Sequence, residues 1–372
     1  MSVTPIMHIA RQILCAVVFA CLAACVSTPD VTTIPPVDLT PEGKGAYILC
    51  EGLRGQNNST LWRYSFGQSQ VVTTQDYYTT VNPGLSLGDT GNSLKIKGDT
   101  AFIAITSNGV IEFYRVSTGK SLGRIILPGA NRAPRDIAIV NDSIGYISDF
   151  HTHSLTRFNP TTCTITKDFI AVGYAPESIA ATSTQVFVAN SGFGDYAYDH
   201  PSIKAQSISV VDIATNTEIA VIPAGPNVQS LQINHRTNRL YALYTHLPRF
   251  SADSLGGVIE IDISTLREIR RWPLSVSKNF ALSITGDSLL LLSNKGLSIL
   301  STIGNSAPNV VAASKPNENW YGLQVSPFDG SIFIANAKQY TTKGEVIILT
   351  NAGQIVRTFP VGINPSQLIF FP

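Results

Sequence analysis

Short apolar runs come in pairs along most of this chain. Ser93-Leu94-Lys95-Ile96 leads to Ala101-Phe102-Ile103-Ala104, Asp136-Ile137-Ala138-Ile139 to Gly145-Tyr146-Ile147-Ser148, and Ser178-Ile179-Ala180 to Val186-Phe187-Val188-Ala189-Asn190. The second half repeats the theme: Ser230 to Ile233 before Leu240 to Leu243, Ala281 to Ile284 before Leu289 to Leu292, and Gly322 to Val325 before Ile332 to Asn336. Each pair is followed by two further runs, such as Ser207 to Asp212, turned at Ala214-Thr215-Asn216 into Glu218 to Val221. Runs this short, bounded by Gly, Asn, Asp and Pro clusters, predict strands, and the repeating unit is four antiparallel ones.

Matching positions Leu94, Ile137, Ile179, Leu231, Leu282, Leu323 and Leu368 lie 43, 42, 52, 51, 41 and 45 residues apart, the period of a propeller blade. Seven first strands predict an all-β, seven-bladed β-propeller with four-stranded blades spanning residues 44–372. Gln367 to Phe370 has no strands after it and Gly45 to Leu49 has no first strand before it, so the C-terminal strand is expected to complete the N-terminal blade. A parallel β-helix has too short a coil period for this spacing.

The first residues follow another pattern. His8 and Arg11 precede an apolar run from Ile13 to Leu22, which ends in Leu22-Ala23-Ala24-Cys25. This reads as a secretory signal over 1–24 and resembles the bacterial lipobox, which would make Cys25 the lipidated N-terminus. Acyl chains anchor without spanning. Residues 25–43, with Pro29, Pro35, Pro36 and Pro41, read as an extended spacer. Val26 after the Cys favours the outer membrane, at the cell surface or the periplasmic face. Of the five cysteines, Cys15 and Cys21 leave with the signal. Cys50 and Cys163 fall in different blades and are expected as separate thiols, a disulfide being the alternative in an oxidising compartment.

Net charge is +1, and Lys and Arg are scattered, so no basic stripe exists to neutralise a nucleic acid backbone. Gly-x-Ser-x-Gly spacing occurs at 84–88 and 119–123 without the helical pattern that a nucleophile elbow needs after it, and His-Glu-x-x-His and Gly-rich phosphate loops are absent from the sequence. His151-x-His153 is the one close histidine pair, and no ligand partner follows it at metal-site spacing. No metal, cofactor or catalytic set is therefore assigned, and the chain is read as a non-enzyme.

Strand parity puts the loops from second to third strands, and those between blades, on one face. The long loops are all of that kind: 52–58, 150–154, 191–205, 245–256 and 337–342. Unusual side chains gather there: Phe150, His151, Phe193, Tyr196, Tyr198, His246, Arg249, Phe250 and Tyr340, with Tyr77, Tyr78, Tyr174, Trp320 and Tyr321 between blades. Tyr and Trp give rigid contact area with a polar tip, so these are the candidate ligand-binding residues, core packing being the competing role. Asp149 and Asp195 are the carboxylates beside them.

The Asp-x-x-Thr turns, the Ala-Asn ending a second strand, and Ile222-Pro223-Ala224-Gly225-Pro226-Asn227 with Phe359-Pro360-Val361-Gly362-Ile363-Asn364-Pro365 resemble the YVTN-repeat family of surface propellers. The opening Tyr47-Ile48-Leu49-Cys50-Glu51-Gly52 is similar to the first blade of Bacteroidetes-type lipoprotein propellers, some of which capture cobalamin above a TonB-dependent outer-membrane transporter. This chain carries Cys50 where those proteins often have Asn. The resemblance implies corrinoid capture and delivery to such a transporter. A protein-interaction scaffold of the cell envelope and a funnel-centred enzyme, lactonase or quinoprotein-like, are the alternatives.

Overall fold

Ala101 to Ile105 are all fully buried, as are Val186 to Ala189 and Phe333 to Ala335. A strand apolar on both faces needs a neighbour on each side of its sheet, and sheets stacked radially provide that. The computed structural model describes residues 43–66, 75–192, 204–245, 256–274, 279–293, 295–304 and 306–372, and they form seven antiparallel sheets. Blades 2 to 7 span 91–126, 134–171, 176–223, 228–274, 279–313 and 320–363, each with four strands in sequence order. Blade 1 combines Pro365–Phe371, Gly45–Cys50 and Thr60–Ser65. The C-terminal strand thus completes the N-terminal blade, as the repeat predicts, through the pairing Ile48 to Leu368. It also neighbours the innermost strands of blades 7 and 2, which shuts the ring.

Seven apolar clusters fill the seven gaps between adjacent blades. The outer strands alternate instead: Thr217–Pro223 is exposed at every second position up to Val221, as expected of a sheet edge with one wet face. In blade 6 Phe280, opposite Leu291, and Leu282, opposite Leu289, face the gap with the preceding blade, the side that Leu323, opposite Ile334, takes in blade 7. Cys50 is buried and Cys163 half-buried, both as free thiols.

Polar side chains staple the innermost strands. Asp136 accepts from Ser93 Oγ of blade 2 at 2.6 Å, and from Ser178 Oγ at 3.1 Å and the Ile179 amide at 3.0 Å in blade 4. Gln232 of blade 5 donates to the Phe280 carbonyl and accepts from the Leu282 amide of blade 6, both at 2.9 Å. Four innermost strands are entered through a left-handed residue, Thr90, Ala175, Asn227 or Asn364. Asn tolerates that conformation because its short side chain bonds locally.

Candidate functional site at the mouth of the central channel

In six of the seven innermost strands the pairing slips near the strand start, leaving a β-bulge. The residues skipped by the ladder are Asn92, Arg135 with Asp136, Glu177 with Ser178, Gln229, Tyr321 and Ser366. A bulge re-aims the side chain it carries, and every one of these residues lines the central channel, a polar cavity of about 280 Å³. Asn279 joins the ring from blade 6. All of them are polar, and two bring opposite charges together: Arg135 Nε lies 2.7 Å from Glu177 Oε2, and Arg135 Nη1 donates to Asn92 Oδ1 at 3.1 Å.

Above this ring the channel opens into a funnel of about 1070 Å³ that shares Arg135, Glu177 and Gln229 with it. Its walls come from loops joining second to third strands and from the loops between blades, including Arg54, Thr106, Asn131, Phe150, His151, His153, Tyr174 and Asn227. This is the face to which strand parity assigns the long loops. The Phe150 ring covers the Arg135 guanidinium at 5.3 Å, and His153 and Tyr174 lie ring against ring at 4.0 Å. Burial holds His153 below the ordinary histidine range, and its Nδ1 accepts from the Ala175 amide at 3.1 Å.

The wall carrying Phe150, His151 and His153 stands on a buried ion pair. Arg132 Nε donates to Asp149 Oδ2 at 2.6 Å, Nη1 to Asp168 Oδ2 at 3.0 Å and to the Pro128 carbonyl at 2.6 Å, and Nη2 to Thr156 Oγ1 at 2.7 Å. The other Asp149 oxygen accepts from the Ala133 and Thr152 amides, both at 3.1 Å, which fixes the turn.

Glu51 is set by ring closure. Its amide donates to the Asn364 carbonyl at 2.9 Å, its carbonyl accepts from Ser59 Oγ at 2.6 Å, and the next amide, Gly52, donates to the Ile363 carbonyl at 3.0 Å. Burial pushes the Glu51 carboxyl above the usual carboxylate range, outweighing the pull of the Arg135 charge. A carboxyl raised in the fold contributes stability that is fully present below its unfolded pKa and is lost as pH rises through the folded one. Glu51→Gln is therefore expected to match the parent in urea midpoint near about pH 4 and to exceed it near about pH 8. Equal midpoints at both values would count against a carboxyl raised by the fold.

The structure brings together only some of the residues singled out in the sequence. Phe150, His151 and Tyr174 line the funnel, and Tyr321 lines the channel below. Tyr340 is 37% exposed and meets the Tyr321 ring edge-on at 5.8 Å. Tyr77 and Tyr78 lie elsewhere. They start a short helix, α1 (Tyr77–Val81), that is buried between blades 1 and 2, with Tyr77 packed on Tyr47 and on the 116–121 turn of the opposite face and Tyr78 Oη donating to Glu112 at 2.6 Å. Trp320 is 3% exposed, fills the gap between blades 6 and 7, and donates from Nε1 to Glu318 at 3.1 Å. For these three, core packing is the role, because each ring fits an apolar gap and each buried polar tip that has a partner finds it locally. Cys25, Phe193, Asp195, Tyr196, Tyr198, His246, Arg249 and Phe250 lie outside the described residues.

Glu51, Arg135, Glu177 and Gln229 were not legible as a site. Their one signal is positional: Asn92, Arg135, Glu177, Gln229, Tyr321 and Ser366 each stand two residues before an apolar landmark. Among the described residues no three of His, Cys, Asp or Glu gather as a metal-holding group.

No protein-family model matches the chain, and no curated protein matches it. Several solved structures are similar to it. The periplasmic gluconolactonase of Pseudomonas aeruginosa aligns at TM-score 0.64 and 13% identity, over 89% of this chain and 99% of that one. A quinonprotein alcohol dehydrogenase-like protein of Bacteroides thetaiotaomicron aligns at 0.61 and 15%, over 87% and 77%. Hydrazine synthase of Kuenenia stuttgartiensis aligns at 0.61 and 17%, over 74% and 88%. At such identities the similarity shows the shared β-propeller fold alone, and by that fold this chain is a seven-bladed β-propeller.

Proposed function

We propose that this propeller captures a bulky ligand in the funnel, without chemistry of its own, as an anchored protein of the outer membrane. The observation that carries the reading is the funnel itself. A cavity of about 1070 Å³ is at the upper end of the range for small-molecule sites, and it narrows from aromatic walls onto a few convergent polar groups. A corrinoid is the bulky ligand that the similarity to Bacteroidetes-type propellers suggests, and a TonB-dependent transporter the partner that would receive it. Titration calorimetry of the full chain with cyanocobalamin and cobinamide tests this. Saturable binding is expected, weakened about tenfold by Phe150→Ala, the loss of one buried aromatic contact. No heat in the micromolar range with either corrinoid removes cobalamin, and a thermal-shift screen of diverse small molecules without one stabilising hit removes the capture reading altogether.

A second reading, a funnel-centred hydrolase, is favoured by the Glu51 carboxyl, which lines the channel with Tyr321 and is raised above the usual carboxylate range, the direction in which a general acid is tuned. Turnover of glucono-1,5-lactone, lost in Glu51→Gln, would select it over capture.

A further inference from the structure

The blades do not present one kind of surface at the end opposite the funnel. Strand order puts the turns from first to second and from third to fourth strands at that end. In blades 2 to 5 the first of these turns is polar: Gly98-Asp99, Asn141-Asp142-Ser143, Thr182-Ser183-Thr184 and His235-Arg236-Thr237-Asn238. In blades 6 and 7 the same turn carries Ile284 and Phe328, and the third-to-fourth turns and the strand starts after them add Ile303, Val310, Ile355 and Val356. Ile303 is 73% exposed and Val356 65%, and Phe328 is half-buried.

Contacts between the turns make these side chains one patch. Ile284 Cδ1 lies 3.8 Å from where a Cβ on Gly330 would stand, in the turn that carries Phe328. The Thr302 amide donates to the Asp287 carbonyl at 2.8 Å, which joins the turns of Ile284 and Ile303. The 350–354 turn closes on blade 6, where a Cβ on Gly353 would come within 2.1 Å of the Val311 carbonyl oxygen. On its other side Phe328 meets Phe66 at 5.3 Å and Phe370 at 6.0 Å, both of blade 1, and Lys44 Nζ stands 4.9 Å from its ring centroid. Lys44 directly precedes the strand Gly45–Cys50, so the chain enters the propeller beside this patch. From Cys25 to Gly43 the covalent path spans at most roughly 60 Å.

We propose that this end of blades 6, 7 and 1 rests on the lipid surface to which the chain is tethered. The assignment rests on lipidation of Cys25, the anchored part of the proposed function. A tether that leaves beside the patch holds it toward the bilayer, and contiguous exposed apolar surface of this kind marks an interaction site. Aromatic rings and a lysine are side chains that settle at the boundary of lipid and water. Asp287 and Asp329, the carboxylates of the same turns, are engaged locally, by Thr285 Oγ1 at 2.6 Å and Ser331 Oγ at 2.7 Å. With those charges against Lys44, burial of apolar surface drives the contact, which is therefore shallow and indifferent to salt and to anionic headgroups. The funnel opens on the side away from lipid, and passing a ligand to a transporter in the same membrane requires the propeller to lift off this contact.

Fluorescent labels test the contact on the full chain, processed and lipidated in a bacterial host and reconstituted into phosphatidylcholine vesicles with a nitroxide on the lipid acyl chains. Ile303→Cys and Val356→Cys place a label in the patch and Asn131→Cys one at the funnel, each in a Cys163→Ser background that leaves only the buried Cys50 thiol. The nitroxide is expected to quench the two patch labels about threefold or more over the funnel label, unchanged by added phosphatidylglycerol or by high salt. Ile284→Asp with Val310→Asp, at exposed positions outside the core, should bring the label at 303 down to the funnel level while the protein still floats with the vesicles. Patch labels quenched no more than the funnel label, on chains that float, overturn the docking and leave the anchor standing. Quenching that survives the double substitution, or that reaches the funnel label equally, overturns it too. Chains that do not float remove the anchor and the docking together, and the corrinoid titration and ligand screen then decide the capture reading independently.

Discussion

Replacing Arg132 with alanine is expected to cost about 3–5 kcal/mol of stability, the effect of leaving a buried charge without its partner. Asp149 is fully buried, and Arg132 is its cationic partner, at 2.6 Å. Arg132→Lys should recover little, because one ammonium cannot reproduce the fork that binds Asp149, Asp168, Thr156 and the Pro128 carbonyl together. Asp168 adds a pH signature. Burial acts to raise it, but hydrogen bonds from Arg132 and Thr156 outweigh that and hold it below the usual carboxylate range. Its contribution is present above the unfolded pKa and lost as pH falls through the folded one, so acid should close part of the gap between parent and Arg132→Ala. The same substitution should loosen the 149–153 turn and with it the Phe150, His151 and His153 wall of the funnel. Urea unfolding is the measurement, and a loss under about 1 kcal/mol would mean that the pair is a bystander to both stability and site.

Removal of residues 364–372 is expected to abolish cooperative unfolding and produce aggregates. The deletion takes the innermost strand of blade 1, uncovers a long apolar edge on Gly45–Cys50, and opens the cluster that joins blades 7 and 1. Phe371, 4.6 Å from the Tyr47 ring, and Leu368 leave the core with it. An unpaired apolar edge of that kind is a template for pairing with other chains. Leu368→Ala is the graded version, with a loss of about 2–4 kcal/mol. The funnel is affected as well, because the Asn364 carbonyl holds the Glu51 amide and Ser366 lines the channel. Circular dichroism and size-exclusion chromatography check the result. A monomeric truncated chain with the parent's melting curve would show that the N-terminal segment closes the ring unaided.

The comparison of Tyr321 with Trp320 shows where sequence reading stops. They are adjacent, both aromatic, and both stand where the chain enters blade 7. One fills an apolar gap between blades and the other lines the channel, because the bulge after Trp320 turns the next side chain inward. Tyr77 and Tyr78 follow the same logic in reverse: their spacing between blades suggests a loop, yet they open a helical turn capped by Asp76, which accepts from the Tyr78 amide at 3.2 Å, and the helix carries both rings into the core.

What the sequence by itself determined is the repeat: seven apolar first strands at blade spacing, second strands apolar on both faces, the terminal strand left over to close the ring, and the long loops on one face. Those features are local or periodic, and periodicity is a property of the linear chain. Tertiary structure alone decided the polar ring. Glu51, Arg135, Glu177 and Tyr321 come from four blades, and small register slips aim three of them at the channel axis, while Glu51 is aimed by the closure of the two chain ends. A one-residue slip reverses the face a side chain points to, and whether it occurs depends on contacts with the neighbouring strand and blade, which no spacing along the sequence records.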